Sequence, residues 1–536
     1  EGAEDGQIVV VRLVSYGEGR VGPTGVVDEV LGAITEPGVD VLAVAHGFGV
    51  SLDFAPDVDE AARVAALTHG ADGGPDRTDR TDLLCFTIDP ADAKDHDDAL
   101  SAVRLPNGNV EVGVHIADVS HFVRPDTPVD IEAVARGTSV YLVDRTVPML
   151  PEALSNDVCS LHEGTSKFAV SLFVELDDKA RIRSRRYERT TLKLGRGLSY
   201  EEAQEVLDGK GSVDPAVDAA LRTLDDLARH VRAARRKRGS LDFDLPEAKV
   251  ILGERGEPVD IRRRERLSSH RLVEDYMILA NEVVANDMEA AGVAVMYRVH
   301  EPPTREKTEA LAETVSAFGL KVNVRKSMKP SDMQSLLDAV KGKDEEALVS
   351  TVVLRSLKKA RYHTENLGHF GLASPGYLHF TSPIRRYPDL VVHRVLTAVL
   401  VHRDPPPYHD VQALTRAAEQ CSLREQAAAE AERASVAMKK VEFMERHLGE
   451  EFSGRISGVA AFGFFVTLDD FFVEGLVHIS GLRDDYYHFD ERHYTLVGER
   501  RGRRFQLGDR YLGPVRLRNP VRGGPRPPGR GGRFDR

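Results

Sequence analysis

The spacing of apolar positions divides the chain into stretches of different character. Gln7–Leu13, Gly25–Val30 and Val41–Ala45 are rich in β-branched and aliphatic residues and are separated by Gly/Pro turns. That pattern predicts three short strands, half of a small β-barrel. A helical period covers Val58–Leu67, a Gly/Asp/Pro-rich linker occupies Ala71–Thr81, and a strand is predicted at Leu83–Ile88. From there to about residue 400 there is no break in composition. Strands at Glu111–Ile116, Phe168–Glu175 and Val250–Leu252 alternate with amphipathic helices at Tyr200–Leu207, Pro215–Lys237, Ser268–Ala290 and Thr304–Phe318. Leu414, Ala418, Cys421 and Ala428 recur near helical spacing, so one helix is predicted over Asp410–His447. Short strands with Gly turns return from Glu451 to about Arg510 and predict a second small barrel. The Gly/Pro/Arg-rich segment Val521–Arg536 is expected to be disordered. The expected fold class is α+β. A partial barrel (1–70) and a linker (71–81) precede a large mixed α/β domain (82–448), followed by a barrel (449–515) and a basic tail (516–536).

Charge changes this picture only through its distribution. The net charge of −13 argues against a nucleic-acid binder that is basic all over. From Arg500 onward, however, twelve arginines face only Asp509 and Asp535. An acidic body with a basic tail suggests a polyanionic partner held at particular places. Cys85, Cys159 and Cys421 lack the spacing of a disulfide framework or a zinc site, which points to reduced thiols in a cytoplasmic protein. No apolar run approaches the roughly 18 residues that span a bilayer, so no membrane partner is expected.

The densest chemistry lies in Thr87–Leu100, where an apolar strand delivers Asp89, Asp92, Asp95, Asp97 and Asp98 within ten positions. Like charges this close repel, and hard cations relieve the repulsion, because carboxylate oxygens are preferred ligands of Mg²⁺. An EF-hand fails on register, since the sixth position from Asp95 is Leu100 and the twelfth is Pro106. A solvated acidic loop stands as the alternative to a metal site, although the apolar flanks Leu83–Ile88 and Ala99–Val103 tie the cluster to a core.

A phosphodiester hydrolase also needs a cation for charge developing on phosphorus. Thr381–Asp389 offers Arg385, placed by Pro383 at a turn before a helix predicted over Leu390–Leu400. The alternative is that Arg385 and Arg386 are surface arginines, but an arginine at a helix start opposes the dipole and favours a functional role. Tyr141, Tyr200 and Phe243 are candidates to stack on bases in a chain without tryptophan. In the terminal barrel, Phe462, Phe465, Phe472 and His478 are candidates for the aromatic face with which OB-fold barrels hold single strands, against the alternative that they fill its core.

These motifs resemble the RNase II/RNase R exoribonucleases over nearly the entire chain. Thr87–Leu100 matches the family's aspartate motif, Tyr141–Leu161 the next block, Glu365–Leu372 and His379–Arg394 the block that carries its arginine, and Glu451–Leu482 an S1 RNA-binding domain. The details around Tyr141 and His379–Pro383 are more like ribonuclease R. The resemblance implies that Asp89, Asp95, Asp97 and Asp98 bind metal, one or two Mg²⁺ ions that Mn²⁺ can replace, and that Arg385 is catalytic. Tyr141 and Phe243 correspond to aromatics that sandwich the 3′-terminal nucleotides, Tyr200 to a tyrosine that influences final product length, and Glu432 to a glutamate near the scissile end. It implies a monomer acting on single-stranded RNA, with DNA not cleaved. Two departures stand out. Only the later part of one cold-shock barrel is visible, in residues 7 to 55, and the closing strand of the S1 barrel is expected where the chain becomes Arg/Gly/Pro-rich beyond Tyr511.

Overall fold

A computed structural model describes residues 2–17, 22–69, 76–243, 247–316, 318–324, 328–343, 345–490 and 495–514. The basic tail therefore lies outside the described residues, as do residues 71–75 of the linker.

The centre of the molecule is a seven-stranded sheet. Its strands run in the order Arg196–Ser199, Phe86–Asp89, Asp98–Arg104, Val110–Ala117, Ser166–Leu176, Ile182–Lys193 and Arg77–Arg80. The interior pairs are antiparallel, and both edge strands join in parallel. Val110–Ala117 is buried at nearly every position, so both faces of the sheet are covered. One face packs on the helices Pro215–Arg238 and Ser268–Ala291, around Leu221, Leu224, Leu272 and Tyr276. The other packs on Leu150, Leu154, Leu390, Leu414 and Ala418. Arg77–Arg80, expected as linker, forms an edge strand because it pairs with Arg189–Leu192.

Local signals set the two long helices. Pro215–Arg238 opens with Pro215 after Asp214, whose side chain accepts the Ala216 N–H, and closes on Gly239 at φ 98° behind four basic residues. Ser268–Ala291 stops at Gly292, φ 66°. The buried Tyr276 hydroxyl donates to the Leu224 carbonyl (2.7 Å) and fastens one helix to the other.

Val411–Glu445 has 35 residues and is about 52 Å long. Near its C-terminal end, Lys439 is buried between Asp40 and Glu442, both at 2.8 Å. Asp40 belongs to the helix Val39–Gly47, where a strand was expected. Val41 and Ala45, one helical turn apart, are buried against Val140, Leu142, Val147 and Ala431. The N-terminal region is therefore a hairpin, Gln7–Ser15 with Thr24–Ala33, followed by a helix that anchors it to the body.

The C-terminal barrel comprises a four-stranded sheet in the order Glu474–His478, Gly463–Leu468, Glu451–Ala460 and Arg510–Pro514, and a three-stranded one of Tyr487–Asp490, Thr495–Gly498 and Arg504–Phe505. The closing strand is present after all, at Arg510–Pro514, paired with Glu451–Arg455 before the basic tail begins. Phe464 stacks on Phe505 in the barrel core (4.6 Å), while Phe443 at the end of the long helix meets Phe471 edge-on and docks the barrel. Among the described residues no helix is long and apolar enough to cross a membrane.

Candidate active site

The site forms where the aspartate loop leaves the sheet. Asp89 ends one strand and Asp98 begins the next, so the loop between them turns back at the sheet edge. Residues 160 and 161 pin this loop. The Ser160 hydroxyl donates to the Lys94 carbonyl (2.7 Å) and accepts the His96 N–H (2.9 Å), and Leu161 N–H donates to the His96 carbonyl (3.0 Å). Asp92 points into solvent, apart from the other four aspartates.

Asp97 joins this loop to the arginine turn 287 residues away. Its Oδ1 accepts the backbone N–H of Ile384 at 2.9 Å. Its Oδ2 is buried, receives no hydrogen bond, and lies 3.6 Å from Arg385 Nε. Burial drives the Asp97 carboxyl well above the usual carboxylate range, and repulsion from Asp95 and Asp98 adds to this against the pull of Arg385. Asp98 is pushed up to about 7 by burial and then by Asp89. Asp95 is raised mainly by burial. Asp89 pairs with His96 Nδ1 at 2.8 Å.

The two arginines of the turn have different environments. Arg386 is mostly covered and bonded through Nη2 to Asp389 (2.7 Å), a residue with no exposure that also accepts the Ser382 N–H. Arg385 keeps 39% of its side chain exposed and is steadied by the Ser382 hydroxyl, which accepts from its Nη2 at 3.0 Å. The structure therefore separates an arginine that builds the turn from one presented to the site. Sequence reasoning missed Ser382 and the Ile384 N–H, because neither can be recognised until the turn is folded.

The aromatic candidates are brought to different places. Tyr141 is 38% exposed and its hydroxyl reaches Asp95 Oδ2 at 3.5 Å, the outer limit of a hydrogen bond. Tyr200 opens the helix Tyr200–Leu207 directly after Ser199, which pairs in register with Asp89. Burial raises its hydroxyl pKa, and the charges of Asp98 and Asp89 raise it further. Phe243 lies elsewhere, partly buried against the satellite cluster of Leu311, Met333 and Leu337. Glu432 is exposed on the long helix, and the charges acting on it are Glu247, Arg264 and Arg433, none of them in the quartet.

Phe243 lines a cavity of about 1770 Å³ between Pro215–Arg238, Glu247–Arg264, the satellite helices and the terminal barrel. Twelve Lys or Arg side chains and nine Asp or Glu line it, so its wall is net positive although the chain carries −13. Asp89, Asp95, Asp97 and Asp98 are not on this wall, so the cavity is distinct from the aspartate site. Phe465 lines it from the barrel, and Phe462, 48% exposed, meets Phe465 edge-on at 6.1 Å. His478 lies opposite Gly463 in the neighbouring strand, beside this pair. Phe472 also lines the cavity and packs near the Phe443 end of the long helix.

Four features suit a divalent cation: three carboxyls raised by burial and mutual repulsion, and one buried carboxylate oxygen with no donor. Among the described residues no three His, Cys, Asp or Glu side chains are grouped so as to hold a metal ion among themselves. Mg²⁺ keeps water and takes phosphate oxygens as further ligands, so it does not need three protein side chains.

The RNB domain model matches residues 77–402, a cold shock domain model residues 1–55 and an S1 RNA binding domain model residues 446–511. The fold and the matches thus define a chain with an RNB domain, a cold-shock-type segment before it and an S1-type barrel after it. Over 533 residues the chain is 40% identical to ribonuclease R of Thermotoga maritima, covering 98% of this chain and 75% of that protein. It is 38% identical over 525 residues to ribonuclease R 1 of Lactococcus lactis, covering 96% of this chain and 63% of that protein. Mycoplasma genitalium RNase R, solved in complex with ribose methylated single-stranded RNA, superposes with a TM-score of 0.89 at 29% identity, covering 95% of this chain and 81% of that one. The chain belongs to the RNase II/RNase R family of exoribonucleases, on the ribonuclease R side.

Proposed function

We propose that the protein is a processive 3′-to-5′ exoribonuclease that hydrolyses single-stranded RNA to nucleoside 5′-monophosphates and leaves a short oligonucleotide, in RNA turnover and quality control. The observation that carries this reading is the Asp97 carboxylate, with one oxygen fixed by Ile384 and the other buried without a donor beside Arg385. Asp89, Asp95, Asp97 and Asp98 would hold one or two Mg²⁺ ions, for which Mn²⁺ can substitute; when bound these neutralise the carboxylates and supply Lewis-acid stabilisation of the scissile phosphate.

The chain's own side chains do the rest. Arg385 stabilises charge on the phosphoryl oxygens as water attacks in line. Ser382 keeps its guanidinium aimed. Tyr141, at the exposed rim beside Asp95, stacks on the 3′-terminal base, and Phe243 supports the strand further out. Glu432 acts at the periphery, through the charges around Arg264. The net positive cavity and the Phe462, Phe465 and His478 face of the barrel take the upstream RNA, where 2′-hydroxyl contacts select RNA over DNA. We place the protein in the cytoplasm as a monomer, in keeping with three buried free cysteines.

The test is a 5′-labelled single-stranded RNA beside DNA of the same sequence, each incubated with the protein and Mg²⁺. The reading predicts conversion of the RNA to a very short 5′ fragment with few intermediates, and intact DNA. Internal cuts at many positions, or equal loss of both strands, would overturn it.

A further inference from the structure

Three elements meet on the wall of the large cavity: the hairpin of Glu247–Leu252 with Pro258–Arg264, the C-terminal part of the helix Val411–Glu445, and the terminal barrel. Ile261, Phe443, Met444 and Val473, drawn from all three, pack into one apolar cluster that holds them together. Some arginines of the wall are paired, Arg232 and Arg235 with Asp275 and Arg262 with Asp260. Among the described residues, Lys440 of the helix, Arg455 of the barrel and Arg263 of the hairpin line the same cavity without a carboxylate in ion-pair reach. Lys440 is half-buried, its ammonium 5.9 Å from the centre of the Phe472 ring. Burial lowers its pKa, against the pull of Glu474. A cation partly removed from water is costly to keep unless an anion completes it. The barrel's part of the wall is also aromatic. Phe465 faces Gly458 in the neighbouring strand, where a Cβ would stand 3.3 Å from Phe465 Cδ2. The ring therefore lies across a position without a side chain, and it still lines the cavity. Arg455 is opposite Thr467, two residues along from Phe465, so Arg455 and Phe465 share one face of the strand pair.

We propose that Lys440, Arg455 and Arg263 form a phosphate-binding site for single-stranded RNA where hairpin, long helix and barrel meet, with Phe465 as the platform for a base. The inference rests on the reading of the cavity as a path of the RNA, and it names the cations that hold the strand there. Unpaired charges of one sign call for an anion, and an aromatic ring on the same wall calls for a base. A free phosphate would fill a small part of a cavity of about 1770 Å³, whereas a strand of several nucleotides fills it. The ammonium of Lys440 and the guanidinium groups of Arg455 and Arg263 meet phosphates that every sequence carries, so the site grips RNA without reading it.

The experiment titrates a fluorescent single-stranded RNA with the full chain, without divalent metal, over a range of salt concentrations, and reads binding by anisotropy. Lys440→Met keeps an apolar stem against Phe472 and removes the charge. It should weaken binding alike for RNAs of different sequence and make the slope of log affinity against log salt shallower by about 0.7, the share of one phosphate on a single strand. Lys440→Arg should restore the wild-type slope. Arg455→Gln, at an exposed position, should change the slope as Lys440→Met does, and it decides if that variant fails to fold. Lys179→Met, in an exposed turn that does not line the cavity, should bind as wild type does. Inorganic phosphate at matched ionic strength should not displace the RNA. A wild-type slope in a folded Lys440→Met, or an equal change in Lys179→Met, would overturn the site. Displacement by inorganic phosphate that disappears in Lys440→Met would make it a site for free phosphate and overturn the RNA assignment. No binding of RNA by the wild-type chain would remove the underlying reading of the cavity and this inference with it.

Discussion

Two arginines that are neighbours in sequence separate into different roles once folded. Arg385 is half-exposed with its guanidinium near the orphaned oxygen of Asp97, whereas Arg386 is mostly covered, against Asp389. Replacing Arg385 by alanine should lower the cleavage rate by about 10²–10³, the scale of losing an oxyanion donor. Its effect on stability should be smaller than that of Arg386→Ala, because its guanidinium is 39% exposed and its pair with Asp97 is long, at 3.6 Å. Replacing Arg386 by alanine leaves Asp389 buried without its cation and should cost about 3–5 kcal/mol of stability. Single-turnover cleavage and urea unfolding of both variants check the contrast; an unchanged rate in Arg385→Ala would remove that residue from the mechanism. Asp89, Asp95, Asp97 and Asp98 were legible from sequence because they lie in one run, and Arg385 because it stands in a turn motif. Ser382 was not, since it acts on a partner that only the fold supplies, the Arg385 guanidinium.

At the scale of elements, the buried strands carry a polar row that their apolar pattern hides. His115 has no exposure and sits between the Ser101 and Ser171 hydroxyls, at 2.9 and 2.8 Å, and Ser171 meets the Thr190 hydroxyl at 2.7 Å. The row crosses four adjacent strands and fixes their register. Burial, with a smaller push from Arg80, lowers the His115 pKa to about 3. Because the folded value lies below the unfolded one of about 6.5, its contribution to stability is complete above that pH and is lost as pH falls towards 3. Each pH unit inside this window should cost about 1.4 kcal/mol for this group alone. His369, also held at about 3 by burial, acts in the same direction. Urea unfolding across pH 7 to 4 should show the slope, and His115→Gln should reduce it by about one proton; an equal slope in that variant would contradict the assignment.

Helices with explicit start and stop residues were readable, as the bounds of Tyr200–Leu207 and Pro215–Arg238 show. Val41–Ala45 was misread because a short run of Val, Leu and Ala fits either period, and only its packing on Val140 and Ala431 makes it helical. Arg77–Arg80 has no apolar pattern at all and is a strand only because Ile182–Lys193 offers an open edge.

The whole molecule reconciles an acidic chain with an RNA substrate by sorting its charge. The net positive cavity wall lies between the large domain and the terminal barrel, and the aspartates are gathered at the sheet edge away from it. RNA affinity should therefore fall steeply and linearly in log–log terms as salt rises. A filter-binding series with flat affinity would contradict binding of RNA in this cavity. In this reading one cluster of carboxylates serves cleavage of RNA that the rest of the molecule holds. Asp97→Asn separates the two, because asparagine keeps the size of the side chain and its contact with Ile384 but removes the charge. The measurement is a native gel and a denaturing gel of the same 5′-labelled RNA, with wild type and variant, in Mg²⁺. We predict that Asp97→Asn shifts the RNA as wild type does and leaves it uncut. Cleavage at the wild-type rate by the variant, or loss of binding together with cleavage, would remove Asp97 from the catalytic role.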